Sequence, residues 1–191
     1  MDQENCKIYL GLVHYPIKNK KGEIVTTSVT NLDIHDIARS CRTFGVRKYF
    51  IITPLKAQHE LVNRILGHWK SDIASAYNPD RQEALSWTQL ANSIEEAKGE
   101  IEKLEGVIPH IIVTGANFNH YDGDTSKILE RIKIDNRPIF LLFGTGWGLD
   151  SSIIDKADFL LAPIDFKISG YNHLSVRSAV AIYLDRFRRG F

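Results

Sequence analysis

The chain has 191 residues, a hydrophobic fraction of 43% and a formal net charge of +1. That size and composition fit one domain with a packed core and exclude a disordered chain, while the near-zero charge excludes a global basic field and leaves only local patches to meet nucleic acid. Cys6 and Cys41 are the only cysteines, the N-terminus lacks a secretory pattern, and no apolar run is long enough for a bilayer, so a reduced, cytoplasmic protein with no membrane partner is expected.

In chain order, residues 7–14 read as a strand buried on both faces. Residues 15–27 form a polar loop containing Lys18, Lys20 and Lys21. Thr30 and Asp33 have the spacing of a capping box. Behind them Ile34, Ile37, Ala38, Cys41 and Phe44 make an apolar stripe at helical period, closed by Gly45. Residues 47–53 are the second strand, stopped by Pro54. A helix over 58–69 carries Leu61, Val62, Ile65, Leu66 and Trp69 on one face. Asn78-Pro79-Asp80 signals a turn, residues 85–90 a short strand, and 93–104 a charged, solvent-facing helix. Residues 110–114 form a strand that ends in Gly115-Ala116-Asn117, and 125–134 a helix. The strand at 139–143 follows Pro138 and runs into Gly144-Thr145-Gly146-Trp147-Gly148. A further apolar strand at 159–162 precedes the polar run Ser169-Gly170-Tyr171-Asn172-His173. The closing helix over 172–187 buries Val176, Val180, Tyr183 and Phe187. Strands alternating with helices predict an α/β fold with a mainly parallel sheet flanked by helices.

The chemistry lies in the loops that leave the strand ends. Glycines after a strand let backbone groups approach a ligand without an intervening Cβ, so the 144–148 loop is either a ligand cradle or a tight turn. Strand ends of a parallel sheet share one edge, so the Thr114-Gly115-Ala116-Asn117 loop can line the same crevice. A dinucleotide fingerprint needs a third glycine one residue later than Gly148, which leaves a nicotinamide-dependent oxidoreductase as a distant alternative. The seven histidines show no pair at metal-ligand spacing, and no metal is expected.

Three segments carry a resemblance to the SPOUT class of RNA methyltransferases. Residues 33–46, with Arg39 preceding Gly45-Val46, resemble the first motif of the ribose-methylating branch. Phe143-Gly144-Thr145-Gly146-Trp147-Gly148-Leu149 resembles the second, and Asn172-His173-Leu174-Ser175-Val176-Arg177-Ser178-Ala179 the third. The chain departs from that pattern at Asp33 and His173, where the branch usually has asparagine. The resemblance implies one SPOUT domain over residues 1–191 with a C-terminal trefoil (α/β) knot, acting as a homodimer with its active site at the interface. It implies S-adenosylmethionine as cofactor, held by Thr114, Gly144, Gly146, Ile164, Asn172, Leu174 and Ser175. The implied reaction is methylation of RNA, tRNA in particular, at the ribose 2′-O. The Ser-Gly-x-Asn-His run resembles the branch that methylates guanine in tRNA, so base methylation is the alternative; a non-catalytic RNA-binding module is a third reading. In-line transfer from a sulfonium needs an aligned acceptor that loses a proton. Arg39 is expected to lower the effective pKa of the 2′-OH or take its proton while binding a neighbouring phosphate. Lys18, Lys20 and Lys21 are expected to meet RNA phosphates.

Overall fold

The computed structural model describes residues 6–70, 76–165, 168 and 170–190. Its centre is β1 (Ile8–Val13), an unbroken apolar run buried along its whole length. A strand with no polar alternation needs cover on both faces, which a parallel sheet wrapped by helices supplies. β1 pairs on one side with β4 (Lys48–Ile52) and on the other with β7 (Ile139–Gly144). β5 (Thr88–Ala91), β6 (His110–Val113) and β8 (Phe159–Leu160) complete a six-stranded sheet in the order β5-β4-β1-β7-β6-β8, with every neighbouring pair parallel. A separate antiparallel hairpin, β2 (Ile17–Lys18) and β3 (Ile24–Val25), forms inside the loop expected over 15–27.

Alternation along β1 divides the core. Ile8, Leu10 and Leu12 pack with residues of α1 (Asn31–Thr43), α2 (Lys56–Trp69), α3 (Pro79–Ser86), α5 (Thr125–Asp135) and α7 (Val176–Arg189). Tyr9 and Val13 face α4 (Ile94–Glu105) and α6 (Ser151–Ile154) on the other side. The apolar stripe of α1 is buried through Ile34, Ile37, Ala38 and Cys41, with Phe44 half-buried at the C-cap. Val180, Tyr183 and Phe187 of α7 pack on the same layer, joined by Leu184.

Several local expectations shift. Asn78-Pro79 opens a helix, not a turn. Asn78 accepts a hydrogen bond from the Arg81 N–H, and Pro79 sits in the first turn, where its missing N–H costs nothing. Leu85 therefore lies on α3, and the strand expected at 85–90 starts only at Thr88, once the chain reaches the edge of β4. The charged helix α4 is not wholly solvent-facing, because Ala97 and Ile101 are fully buried. Leu61 of α2 is exposed, while Val62 takes the core position. The last helix begins at Val176 because Ser175 caps it, its hydroxyl accepting from the Ser178 N–H at 3.2 Å. The strand expected over 159–162 is two residues long, although Leu161 bridges Gly123. Ser169 lies outside the described residues.

Gly11 marks the tightest point of the sheet. A Cβ there would lie 2.7 Å from Leu142 Cδ2 and 3.0 Å from Phe140 Cε2, both in the buried core. Gly11→Ala is expected to destabilise the protein by about 1–3 kcal/mol through overpacking. A lowered denaturation midpoint with an unchanged m-value is the expected reading; an unshifted midpoint would show that the neighbouring side chains relax freely.

Candidate functional site

β1, β6 and β7 end side by side, with Val13 opposite Gly144. A crevice of about 740 Å³ opens at these carboxyl ends, in the size range of small-molecule sites and at the sheet edge where α/β proteins place them. Its walls are residues 114–118 after β6, 144–149 after β7, and Asn172, His173 and Leu174 before α7. Thr27, Ser28, Thr30 and Asp33 close one side. Phe143, Ile164, Val176, Ala179 and Tyr183 supply apolar surface.

The glycine-rich loop folds back on its own strand. A Cβ on Gly144 would come within 2.9 Å of Leu149 Cγ and 3.0 Å of the Leu149 backbone nitrogen, so only glycine fits. Gly146 turns the chain with φ +57°, and the Gly148 N–H closes the turn on the Thr145 carbonyl at 3.1 Å. The β2–β3 hairpin is stitched to this loop: the Lys18 N–H donates to Gly148 O at 2.9 Å, and the Trp147 N–H donates to Lys18 O at 3.1 Å.

Side chains fix the remaining walls. The Thr114 hydroxyl donates to Leu142 O at 2.9 Å, holding the β6 loop against β7. Asn172 Nδ2 donates to Ala116 O at 3.0 Å and ties the loop before α7 to the loop after β6. Tyr183 donates to Ala162 O at 2.7 Å from beneath. Asp33, only 6% exposed, accepts from the Thr30 hydroxyl at 2.6 Å and from Arg177 Nη1 at 2.7 Å. Arg177 also reaches Asp36, at 3.4 Å, so the first turn of α7 is clamped to the first turn of α1.

His14 follows β1 and is fully buried. Its Nδ1 meets the Thr27 hydroxyl at 3.0 Å, and Thr27 in turn bonds the Thr145 hydroxyl, which reaches Val13 O at 3.2 Å. This chain links the end of β1, the segment after β3 and the glycine-rich loop. Burial pushes the imidazole down to about 4, against the opposing pull of the Asp33 carboxylate.

Six of the seven residues expected to hold a cofactor line the crevice: Thr114, Gly144, Gly146, Ile164, Asn172 and Leu174. Ser175 stands beside it as the cap of α7. Lys18 lines the mouth, whereas Lys20 and Lys21 are exposed at the hairpin tip and are not among its lining residues. Arg39 is exposed on α1 and is not among the described residues that line the crevice. Sequence reasoning read Asp33 as a cap and missed it as a wall. It also missed Thr27, Trp147 and the Asp33–Arg177 clamp, a contact across 144 residues that no periodicity can show.

The residues fit S-adenosylmethionine by the chemistry of the donor set. Phe143, Ile164, Leu174 and Val176 offer an apolar wall for a purine, and Thr114 and Asn172 bring polar atoms, while the Asp33 carboxylate in the wall is already engaged by Arg177 and Thr30. A family model described as SAM-dependent RNA methyltransferase matches residues 7–189. The chain belongs to that family. A tRNA (guanine-N(1)-)-methyltransferase of Oleidesulfovibrio alaskensis is 43% identical over 179 residues, covering 94% of this chain and 41% of that relative. An uncharacterized protein of Aquifex aeolicus is 36% identical over 182 residues, covering 95% of this chain and 88% of the relative. The chain thus spans about two-fifths of the length of the Oleidesulfovibrio alaskensis relative. Among solved structures, a probable methyltransferase from Bordetella pertussis superposes with TM-score 0.65 at 16% identity, covering 100% of this chain and 99% of that one. The A. aeolicus TrmH/SpoU tRNA modifying enzyme does so at 0.58 and 14%, covering 99% and 76%. At such identities these likenesses show the fold alone, one that the chain shares with these solved methyltransferase structures. Family membership removes the nicotinamide alternative.

The buried His14 gives this methyltransferase fold an acid-sensitive joint. Above about pH 6.5 the imidazole is neutral in both states and its contribution is constant. As pH falls toward 4 the unfolded chain takes the proton first, so stability is lost across that window, by roughly 3 kcal/mol. Denaturant unfolding of the wild type near neutral pH and at about pH 4.5 should show this extra loss relative to His14→Gln. Parallel losses in the two proteins would exclude His14 as the sensitive group.

Proposed function

We propose that the chain is the catalytic unit of an S-adenosylmethionine-dependent tRNA methyltransferase. The observation that supports this reading is the glycine-walled crevice at the strand ends, with an apolar wall of Phe143, Ile164, Leu174 and Val176 suited to a nucleoside. When bound, the cofactor supplies an electrophilic methyl group. Its methyl would pass to an acceptor that this chain must align and relieve of a proton. Thr114, Gly144, Gly146, Ile164, Asn172 and Leu174 hold the cofactor in this reading, with Ser175 fixing the approach of α7.

Guanine is the acceptor base favoured here. Two relatives, at 43% and 39% identity, bear the name tRNA (guanine-N(1)-)-methyltransferase, although this chain matches 41% of each. Ribose 2′-O transfer is the second reading, supported by the motif resemblance around Arg39 and by a tRNA (cytidine(56)-2'-O)-methyltransferase 23% identical over 81% of this chain. Digestion of methylated tRNA to nucleosides separates the two, since a base-methylated guanosine and a 2′-O-methyl nucleoside differ in their mass-spectral fragments.

The same reading makes the chain one SPOUT domain with a C-terminal knot, working as a homodimer in the cytoplasm. A dimer answers the position of Arg39. Exposed on α1 and not among the described residues that line its own crevice, its guanidinium acts in this reading in the crevice of the partner copy, holding an RNA phosphate and stabilising negative charge on the acceptor. Guanidinium remains protonated at any working pH, so the departing proton goes to solvent or to another group.

Two variants test this. Gly144→Val should abolish cofactor binding in calorimetric titration, since even a Cβ has no room against Leu149. Arg39→Ala should lose transfer by about 10²-fold or more while binding cofactor normally. Mixing the two inactive proteins should restore part of the activity if the site is shared between copies. Retained activity in Arg39→Ala would sink its role, and absence of any cofactor binding by the wild type would sink the reading as a whole.

A further inference from the structure

Trp147 stands on the glycine-rich loop at the edge of the crevice. It is 59% exposed at the crevice mouth. Gly146 and Gly148, with φ +57° and +104°, flank it and turn the chain so that it stands at the tip of the loop. The loop is not loose. The Trp147 N–H donates to Lys18 O, the Lys18 N–H to Gly148 O, the Gly148 N–H to Thr145 O and the Asp150 N–H to Pro16 O. A large aromatic surface is therefore held out to solvent by a backbone fastened on both sides.

The neighbouring surface is cationic. Lys18, paired to the Trp147–Gly148 segment, lines the same mouth. The tip of the β2–β3 hairpin is ordered by Asn19, whose Oδ1 accepts from the Lys21 and Glu23 N–H groups at 2.9 and 3.0 Å. That turn displays Lys20 and Lys21, with Glu23 engaged by Asn19 Nδ2 at 2.8 Å. On another wall of the crevice the exposed His173 meets the ring of Tyr171, itself 72% exposed, at 5.4 Å between centroids. An aromatic plate beside a short row of lysines has the chemistry of a single-stranded nucleic-acid contact, in which a base stacks on the ring and its phosphates meet the ammonium groups. A base in a duplex cannot present its face, so an enzyme acting on a base works on one that is unpaired or turned out of the stack.

We infer that Trp147 is the stacking platform for an unpaired RNA nucleotide at the crevice mouth, with Lys18, Lys20 and Lys21 on the adjoining phosphates. This deepens the proposed tRNA methyltransferase reading and rests on it for the identity of the RNA. It makes the exposed Trp147 ring a substrate-binding surface at the edge of the crevice whose wall its loop forms.

Calorimetric titration with S-adenosylmethionine and fluorescence-anisotropy titration with a labelled single-stranded RNA oligonucleotide test it, on wild type, Trp147→Phe and Trp147→Ala. Trp147→Ala should weaken RNA binding roughly ten- to a hundredfold, and Trp147→Phe by less than about fivefold, because stacking needs a ring and not an indole N–H. Cofactor affinity should fall far less than RNA affinity in both, since the glycines and backbone of the loop stay in place. Wild type that binds cofactor and RNA, with RNA affinity unchanged in Trp147→Ala, overturns the inference and leaves the methyltransferase reading standing. Ring-dependent RNA binding without any cofactor binding does the reverse. Equal loss of cofactor and RNA affinity in Trp147→Ala overturns the inference by assigning the indole to the cofactor. A changed assembly size in light scattering overturns it by assigning the ring to a protein interface. Binding of neither ligand by the wild type overturns both.

Discussion

β1 is hydrogen-bonded along both edges and covered on both faces, and the functional end of the molecule depends on that double burial. Ile8 to Val13 sit in register with Ile139 to Gly144 on one side, and Tyr9 to Val13 with Lys48 to Ile52 on the other. A one-residue slip would turn every apolar side chain of a strand toward the wrong layer, so the register is steeply enforced. Because the register is fixed, Gly144 must emerge beside Val13, and the loop that follows it must fold over the carboxyl end of β1. The missing side chain at Gly11 is part of the same fit, since Leu142 and Phe140 already fill the space a methyl would need.

The crevice is then assembled by short polar ties that bridge these rigid strand ends. The His14–Thr27–Thr145 chain, the hairpin-to-loop backbone bonds and the Asn172–Ala116 contact each join segments far apart in sequence. The Asp33–Arg177 pair does the same for the two helices that flank the opening. A nearly buried carboxylate stripped of its guanidinium and its Thr30 donor would be strongly unfavourable, so the pair acts less as a gain in stability than as a constraint on where α7 may start. Such ties hold backbone groups and glycines in place, which is what a site built on loops needs if it is to bind a ligand without large ordering costs.

Much of this was readable one residue at a time. The cap at Thr30, the glycine end of α1 and the stripe Ile34, Ile37, Ala38, Cys41 follow from local rules, and the folded chain keeps them. The glycine-rich and Thr114 loops could be assigned to one crevice because parallel strands send all their carboxyl ends to the same edge. Where the reading slipped, a local signal had two meanings. Asn-Pro marks a turn as well as a helix start, and only the packing of Ala84 and Leu85 against the core selects the helix. The hairpin inside the loop over 15–27 has no strong local signal, because its strands are two residues each and its anchor, the 144–149 loop, lies more than a hundred residues downstream.

The sequence by itself determined the strand and helix alternation, the parallel sheet, the glycine loop, and the set of residues from which a cofactor site could be drawn, because propensity, capping and apolar periodicity act over a few residues. Tertiary structure alone decided which of those residues meet. It brought Asp33 to Arg177, set Lys18 against Trp147, left Ser175 as a cap beside the crevice, and left Arg39 exposed on α1 and outside the lining of the crevice of its own copy. Those outcomes depend on how layers pack and on which chain ends share an edge, and no local interaction energy encodes them.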